Sequence, residues 1–135
     1  MRCLLLHCKK FSYQLDHPTP IADSEVAKKE DSFESSLVVF LAVEKGDNEP
    51  KVKAAAREIS NLAQLAKAQK IVINPFAHLS SSLAPAALAK ELSQSLALNL
   101  KETSNLPVVY TSFGWYKSFT LDVFGSDNSQ LFREF

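Results

Sequence analysis

The sequence predicts an α/β fold in which a mixed β-sheet packs against helices. Three observations predict it. Two segments carry apolar residues at helical spacing, each of them lies between short apolar runs of strand type, and the first fifteen residues contain an unbroken apolar run followed by strict alternation. Helical crossovers between strands demand parallel pairs, whereas strands joined by short connections pair antiparallel, so the sheet is expected to be mixed.

The elements follow in order. Arg2–His7 is a short apolar run without helical period and reads as a buried strand. Phe11, Tyr13 and Leu15 alternate with polar neighbours, which predicts a half-buried strand paired with the first as a hairpin. From Asp16 to Glu34 the pattern breaks. Pro18 and Pro20 forbid a regular helix, and Asp23, Lys28, Lys29, Glu30 and Asp31 are expected in solvent, so the stretch reads as a long loop with one helical turn at most. Leu37–Val43 is apolar on both faces and is expected at the centre of the sheet. Gly46-Asp47-Asn48 is a turn in which Asp47 or Asn48 can cap the next helix, with Pro50 in its first turn. Val52, Ala55, Ala56, Ile59, Leu62, Ala63 and Ala66 then mark one face of a helix of about five turns. Lys70–Asn74 is a third core strand and Pro75–Ser81 the loop leaving it. A second helix runs from about Ala84 to Leu98 with Ser80, Ser81 or Ser82 as its cap. Val108–Thr111 and Tyr116–Phe124 complete the sheet, and Ser129–Phe135 reads as a short helix.

The chain has 135 residues, 46% of them hydrophobic, with nine Phe, three Tyr and one Trp. This predicts one domain over residues 1–135 with a core of moderate size. No apolar run approaches the roughly 20 residues that cross a bilayer, and the apolar start is too brief for a signal peptide, so no membrane partner is expected. The two cysteines, Cys3 and Cys8, have opposite strand parity and cannot pair, which fits a reducing, cytoplasmic setting. Lys plus Arg and Asp plus Glu are 15 each, which argues against unaided binding of a long nucleic acid, DNA included, but not against contact with the end of one. Three glycines cannot build a glycine-rich phosphate loop.

Three segments differ from plain scaffold. Asn74–Ser81 follows the carboxyl end of an inner strand, where α/β sheets place ligands, and carries His78. Taken alone, a single histidine is better read as a satisfied structural residue. Ser112–Lys117 holds Gly114 between aromatics, a sign of an unusual turn or a close approach. Lys117 in that segment has the strand parity of Phe119, Leu121 and Val123. A lysine on an apolar face either snorkels out at the strand end or meets a partner or ligand. Glu44-Lys45 ends the central strand and is most simply solvated. No metal site is expected, and no Cys–His nucleophile pair unless His78 approaches Cys3 or Cys8 in space. No Gly-x-Ser-x-Gly elbow and no evident carboxylate pair exists.

Met1–His7, Val43-Glu44-Lys45, Pro75-Phe76-Ala77-His78-Leu79-Ser80-Ser81 and Phe113-Gly114-Trp115-Tyr116-Lys117 together resemble, in order and spacing, the amino-terminal editing domain of archaeal threonyl-tRNA synthetase over nearly the whole chain. The resemblance implies a D-aminoacyl-tRNA deacylase-like fold, a homodimer, and hydrolysis of the ester of threonine tRNA wrongly charged with serine. Serine lacks one methyl group of threonine, worth only about 1–3 kcal/mol to a binding pocket, so selection by binding is insufficient and a second site must remove the error. The resemblance further implies that Val43, Pro75, Phe76 and Ala77 wall the pocket for the seryl group and adenosine. It places Phe113, Gly114 and Tyr116 beside the terminal adenosine, and gives catalytic contacts near the ester to Lys117 and His78. The adenosine 2′-hydroxyl would help position the attacking water. Lys117 would orient that water or stabilise the oxyanion, and His78 would orient the substrate. Where the family has a pocket glutamate this chain has Gln130, which hydrogen-bonds without charge, and Trp115 stands where tyrosine is common. No cofactor is implied in this domain; ATP and zinc would belong to a synthetase domain. The alternatives are a D-aminoacyl-tRNA deacylase, a non-catalytic module for tRNA ends or dimerisation, and a small-molecule binding domain.

Overall fold

A computed structural model describes all 135 residues. The elements are β1 (Arg2–Pro18), β2 (Glu30–Ala42), α1 (Glu49–Leu65), β3 (Lys70–Pro75), a single 3₁₀ turn at Ala77–Leu79, α2 (Ala86–Thr103), β4 (Val108–Tyr110), β5 (Trp115–Val123) and β6 (Gln130–Glu134). One sheet holds the order β4-β3-β2-β1-β5, with β6 also on β1. The two helical crossovers give the parallel pairs β2–β3 and β3–β4, and β1 pairs antiparallel with β2, β5 and β6. The sheet is mixed, as expected, and β2 is its middle strand.

Three expectations are corrected. First, the expected hairpin of Arg2–His7 with Phe11–Leu15 is one continuous strand of 17 residues. The change of parity that suggested two strands is real but local. Inward residues run Leu4, Leu6, Cys8 before Lys9 and Phe11, Tyr13, Leu15 after it, all packed in one cluster. The facing strand makes the same switch between Phe33 and Val38 across Ser35, whose φ of 45° lies in the left-handed region. Both strands change phase at the same level, and pairing continues from Cys8↔Ser36 to Lys10↔Glu34. Second, the expected loop to Glu34 ends earlier, because β2 begins at Glu30. Asp23 in that loop is buried, at 8% exposure, rather than solvated. Third, Ser129–Phe135 is not a helix but contains strand β6. β5 pairs β1 only from Cys8 to Pro18, leaving the Arg2–Leu6 edge open, and Gln130–Glu134 fills it. Its alternation of exposed Gln130, Phe132 and Glu134 with half-buried Leu131 and Arg133 is a strand pattern too short to exclude a helix from sequence.

Helix α1 matches its predicted extent, and Asn48 caps it by accepting from the Lys51 amide at 3.1 Å. Helix α2 starts at Ala86 and runs to Thr103. No serine caps it: Pro85 holds the cap position without a side-chain bond. Both helices bury their stripes on the same face of the sheet. Val52, Ile59, Leu92, Leu96 and Leu100 join Leu5, Leu37, Val39, Ile71 and Ile73 in one cluster. The opposite face carries a second core of Phe11, Tyr13, Leu15, Phe33, Val38, Phe40 and Val72, with Val26, Phe76 and Leu79 packed on it from the connecting segments and Trp115 from the start of β5. Phe76 and Trp115 therefore leave the core at the place where the candidate segments meet.

Candidate functional site

The parallel pair β2–β3 ends at Leu41↔Pro75, and the Phe76 amide donates to the Leu41 carbonyl at 2.7 Å, carrying the chain out beyond the sheet. On the other side, the Ala84 amide donates to Val43 O and the Lys45 amide to Ser82 O, both at 3.0 Å. These bonds anchor the segment leading into α2 along the end of β2. Between these ends, the start of α2 and the start of β5 lies a cavity of about 380 Å³. Its wall includes Val43, Pro75, Phe76, Ala77, His78, Phe113, Gly114, Tyr116 and Lys117. Of the residues singled out from sequence, only Gln130 is absent. It stands exposed on β6 opposite Leu6, its amide directed to the Phe124 carbonyl at 3.4 Å.

Lys117 is half-buried and faces inward with Leu121 and Val123, as its parity predicts. The lysine ion pairs of the chain belong to Lys28, Lys51 and Lys90; Lys117 has none. Burial drives its pKa down from 10.5 to about 8, against the opposing pull of the Asp23 charge. His78 is exposed on the 3₁₀ turn, its ring edge-on to Phe76 at 5.0 Å, and Phe76 in turn packs edge-on to Phe40 at 5.2 Å. The imidazole is thus the outer end of an aromatic row rooted in the second core. The remaining wall is largely apolar, with Ala42, Ala84, Ala86 and Ala89 beside the larger Ile21, Leu41, Leu83 and Phe119, plus the buried Asn74, whose Oδ1 accepts from Thr111 Oγ1 at 2.6 Å.

Gly114 explains its own identity. It has φ of 76°, and a Cβ there would lie 2.6 Å from the Ala22 Cα. The proline-containing loop is laced to this turn. The Thr19 amide and hydroxyl both donate to Gly114 O, at 2.9 and 2.6 Å, and the Asp23 amide donates to Phe113 O at 2.9 Å. Asp23 returns two bonds: its carboxylate accepts from the Phe113 amide at 2.7 Å, and its carbonyl from Trp115 Nε1 at 3.1 Å. Lys90 of α2 pairs with the same carboxylate at 2.8 Å. Sequence reasoning missed Asp23, since nothing distinguishes it from its charged neighbours. It also missed Glu44, expected to be solvated, whose carboxylate accepts from Ser80 Oγ at 2.5 Å and pairs with Arg2 at 3.3 Å.

Other chemistries find no footing. Cys3 and Cys8 are fully buried in different clusters, and neither lines the cavity that holds His78. Burial raises their thiols to about 12 and about 11, so neither offers a thiolate at neutral pH. No three His, Cys, Asp or Glu side chains gather as a metal site would require. No helix is long and apolar enough to cross a membrane.

Against this geometry the comparisons with known proteins are consistent. The family model described as the archaea-specific editing domain of threonyl-tRNA synthetase matches residues 1–135. The chain is 41% identical to a threonine–tRNA ligase of Staphylothermus marinus over 136 residues, covering 97% of this chain and 22% of that protein. It is 40% identical to the corresponding ligase of Methanobrevibacter smithii, covering 98% and 22%. The chain therefore spans about a fifth of the length of these relatives. Among solved structures, a c-Myc DNA unwinding element binding protein superposes with a TM-score of 0.78 at 13% identity, covering 99% of this chain and 98% of that one. At that identity the likeness concerns the fold alone, and the mixed α/β, D-aminoacyl-tRNA deacylase-like class expected from sequence is the class observed.

Proposed function

The chain belongs to the family of archaea-specific editing domains of threonyl-tRNA synthetase, and from that membership we propose that residues 1–135 act as a single domain hydrolysing the ester of threonine tRNA mischarged with L-serine. The observation that carries this reading is the shared cavity: an amine without an ion-pair partner, Lys117, and an exposed imidazole, His78, line one hollow of about 380 Å³ whose wall is mainly apolar.

In this reading the seryl group enters between Val43, Pro75 and Ala77, which line the cavity, and discrimination requires that this wall exclude the extra methyl of threonine. The terminal adenosine lies along Phe113, Gly114 and Tyr116. Water attacks the ester carbonyl, positioned in part by the adenosine 2′-hydroxyl. The Lys117 ammonium stabilises the developing oxyanion, and low local polarity makes that interaction stronger than in water. His78, held edge-on by Phe76, orients the substrate. The proton count closes on water and the departing ribose oxygen, so the step needs no protein nucleophile. Gln130, on the far part of β6, is assigned no substrate contact within one chain. The chain works as a homodimer, which sedimentation tests.

The deciding assay follows release of amino acid from threonine tRNA charged with L-serine, D-serine or L-threonine. Fast loss of L-serine with L-threonine spared supports the reading. Equal rates, or none, reject it, and preference for D-serine moves the assignment to a D-aminoacyl-tRNA deacylase.

A further inference from the structure

The β1–β5 ladder runs from Phe11↔Leu121 to Leu15↔Lys117 in constant register and then slips by one residue, to His17↔Tyr116 and Pro18↔Trp115. Asp16 is the extra residue. Without the slip, Asp16 would face Tyr116 and His17 would face Trp115. A β-bulge next to a cavity re-aims a side chain, and here it replaces a carboxylate by an imidazole as the partner of Tyr116. The two rings stack at 4.5 Å between centroids and 22° between planes. Tyr116 is 54% exposed and lines the cavity; His17 is exposed and does not line it, so the imidazole stands on the outer side of the pair. The backbone under the stack is fixed from both sides, by the ladder and by the Thr19 bonds to Gly114.

We propose that the His17–Tyr116 stack is a two-ring platform for an unpaired nucleobase, the one preceding the terminal adenosine of the RNA. This rests on the editing reading above. With the terminal adenosine against the cavity side of Tyr116, the chain of the RNA leaves past its outer side, where His17 presents a flat, solvated ring whose nitrogens can hydrogen-bond a base edge. Stacking on such a ring is tolerant of base identity and adds about tenfold in affinity per base.

The test uses two non-hydrolysable ligands with the seryl ester replaced by an amide: seryl-adenosine and the same group on cytidylyl-adenosine. Calorimetric binding to the 135-residue chain is expected to favour the dinucleotide about tenfold. In His17→Ala that advantage should fall to below about threefold, and in His17→Phe it should return, because a second aromatic ring supplies the same face. Equal affinity of the unaltered chain for both ligands overturns the platform while leaving the editing reading intact. So does an advantage that survives in His17→Ala, or a loss in that variant that is equal for both ligands. No binding of either ligand by the unaltered chain overturns the editing reading and the platform together.

Discussion

The Asp23 carboxylate accepts the Phe113 amide at 2.7 Å, joining two loops 90 residues apart in sequence at the edge of the cavity. The same group pairs with Lys90 at 2.8 Å, so one buried side chain ties the proline loop, the Gly114 turn and helix α2 together. Asp23→Asn keeps the shape but removes the charge that strengthens both bonds. A charge-assisted hydrogen bond is worth about 1.5–3 kcal/mol, and Lys90 is exposed enough to recover part of its loss in water. The variant should lose about 2 kcal/mol in urea unfolding, with faster amide exchange at Phe113 and Trp115. Unchanged exchange at both positions would show that Asp23 does not hold the turn.

Gly114 and Gly46 offer a matched pair. Both have positive φ, 76° and 85°, but a Cβ at Gly46 meets open space whereas one at Gly114 runs into the Ala22 backbone. Gly46→Ala should therefore cost only the left-handed strain, about 1 kcal/mol. Gly114→Ala must also move the Thr19–Asp23 loop. It should cost at least about 2 kcal/mol more and should abolish deacylation by displacing Phe113 and Lys117. Thermal unfolding of both variants checks the difference; equal costs would mean that the loop yields freely.

Much of this was legible in the sequence because it depended on local pattern. Period and length marked α1, the run Leu37–Val43 marked the central strand, and the odd parity of Lys117 marked an amine on an apolar face. What was not legible depended on long-range pairing. β6 is a strand because β5 leaves the Arg2–Leu6 edge of β1 free, and five residues do not contain that information. The Lys9–Ser35 phase switch mimicked a chain break, since parity alone cannot separate a turn from two strands that shift together. Asp23 and Glu44 looked like ordinary surface charges, and only the fold supplies the Phe113 amide and the Ser80 hydroxyl that bury them in bonds. The cavity residues were marked by family resemblance more than by chemistry: His78 by itself read as structural.

The Glu44–Ser80 bond should matter for acid stability. The Ser80 hydroxyl is the main influence lowering the Glu44 pKa, followed in the same direction, and against burial, by the amino terminus and Arg2. A carboxylate whose folded pKa lies below its unfolded value adds stability that is complete above about pH 4.5 and fades as pH falls through the folded value. Ser80→Ala narrows the gap between the two values, since only the amino terminus and Arg2 then oppose burial. Urea midpoints between pH 3 and 6 should then depend less on pH than in the unaltered chain, and the Glu44 carboxyl should titrate at higher pH by NMR. The variant should also loosen the Ala77–Leu83 segment that carries His78. An unshifted Glu44 titration would assign its depression to the amino terminus and Arg2 instead.

Lys117 should show a trade of stability for activity. Its ammonium is destabilised in the fold by burial, only partly offset by Asp23, so its pKa stands at about 8 rather than 10.5. Below pH 8 both folded and unfolded chains carry the proton, and the fold bears the full cost of burying the charge. Between about pH 8 and 10.5 the folded chain releases the proton and the unfolded chain keeps it. The unfolded state then binds more protons, and the contribution of this group to stability rises with pH. Lys117→Met removes the buried charge and keeps the stem, so at pH 7 it should stabilise the chain by about 1–3 kcal/mol, allowing for the half-exposed setting. The same change should slow deacylation by about 10²–10³-fold, as expected for loss of a donor to the oxyanion. In the unaltered chain, if the ammonium is the acting form, the rate should fall as pH rises through about 8, and this limb should vanish in the variant. A rate that climbs through pH 8 would make the neutral amine the acting form, a base toward water rather than an oxyanion donor. A destabilised Lys117→Met would mean that the ammonium has found a partner and is not a strained group held for catalysis.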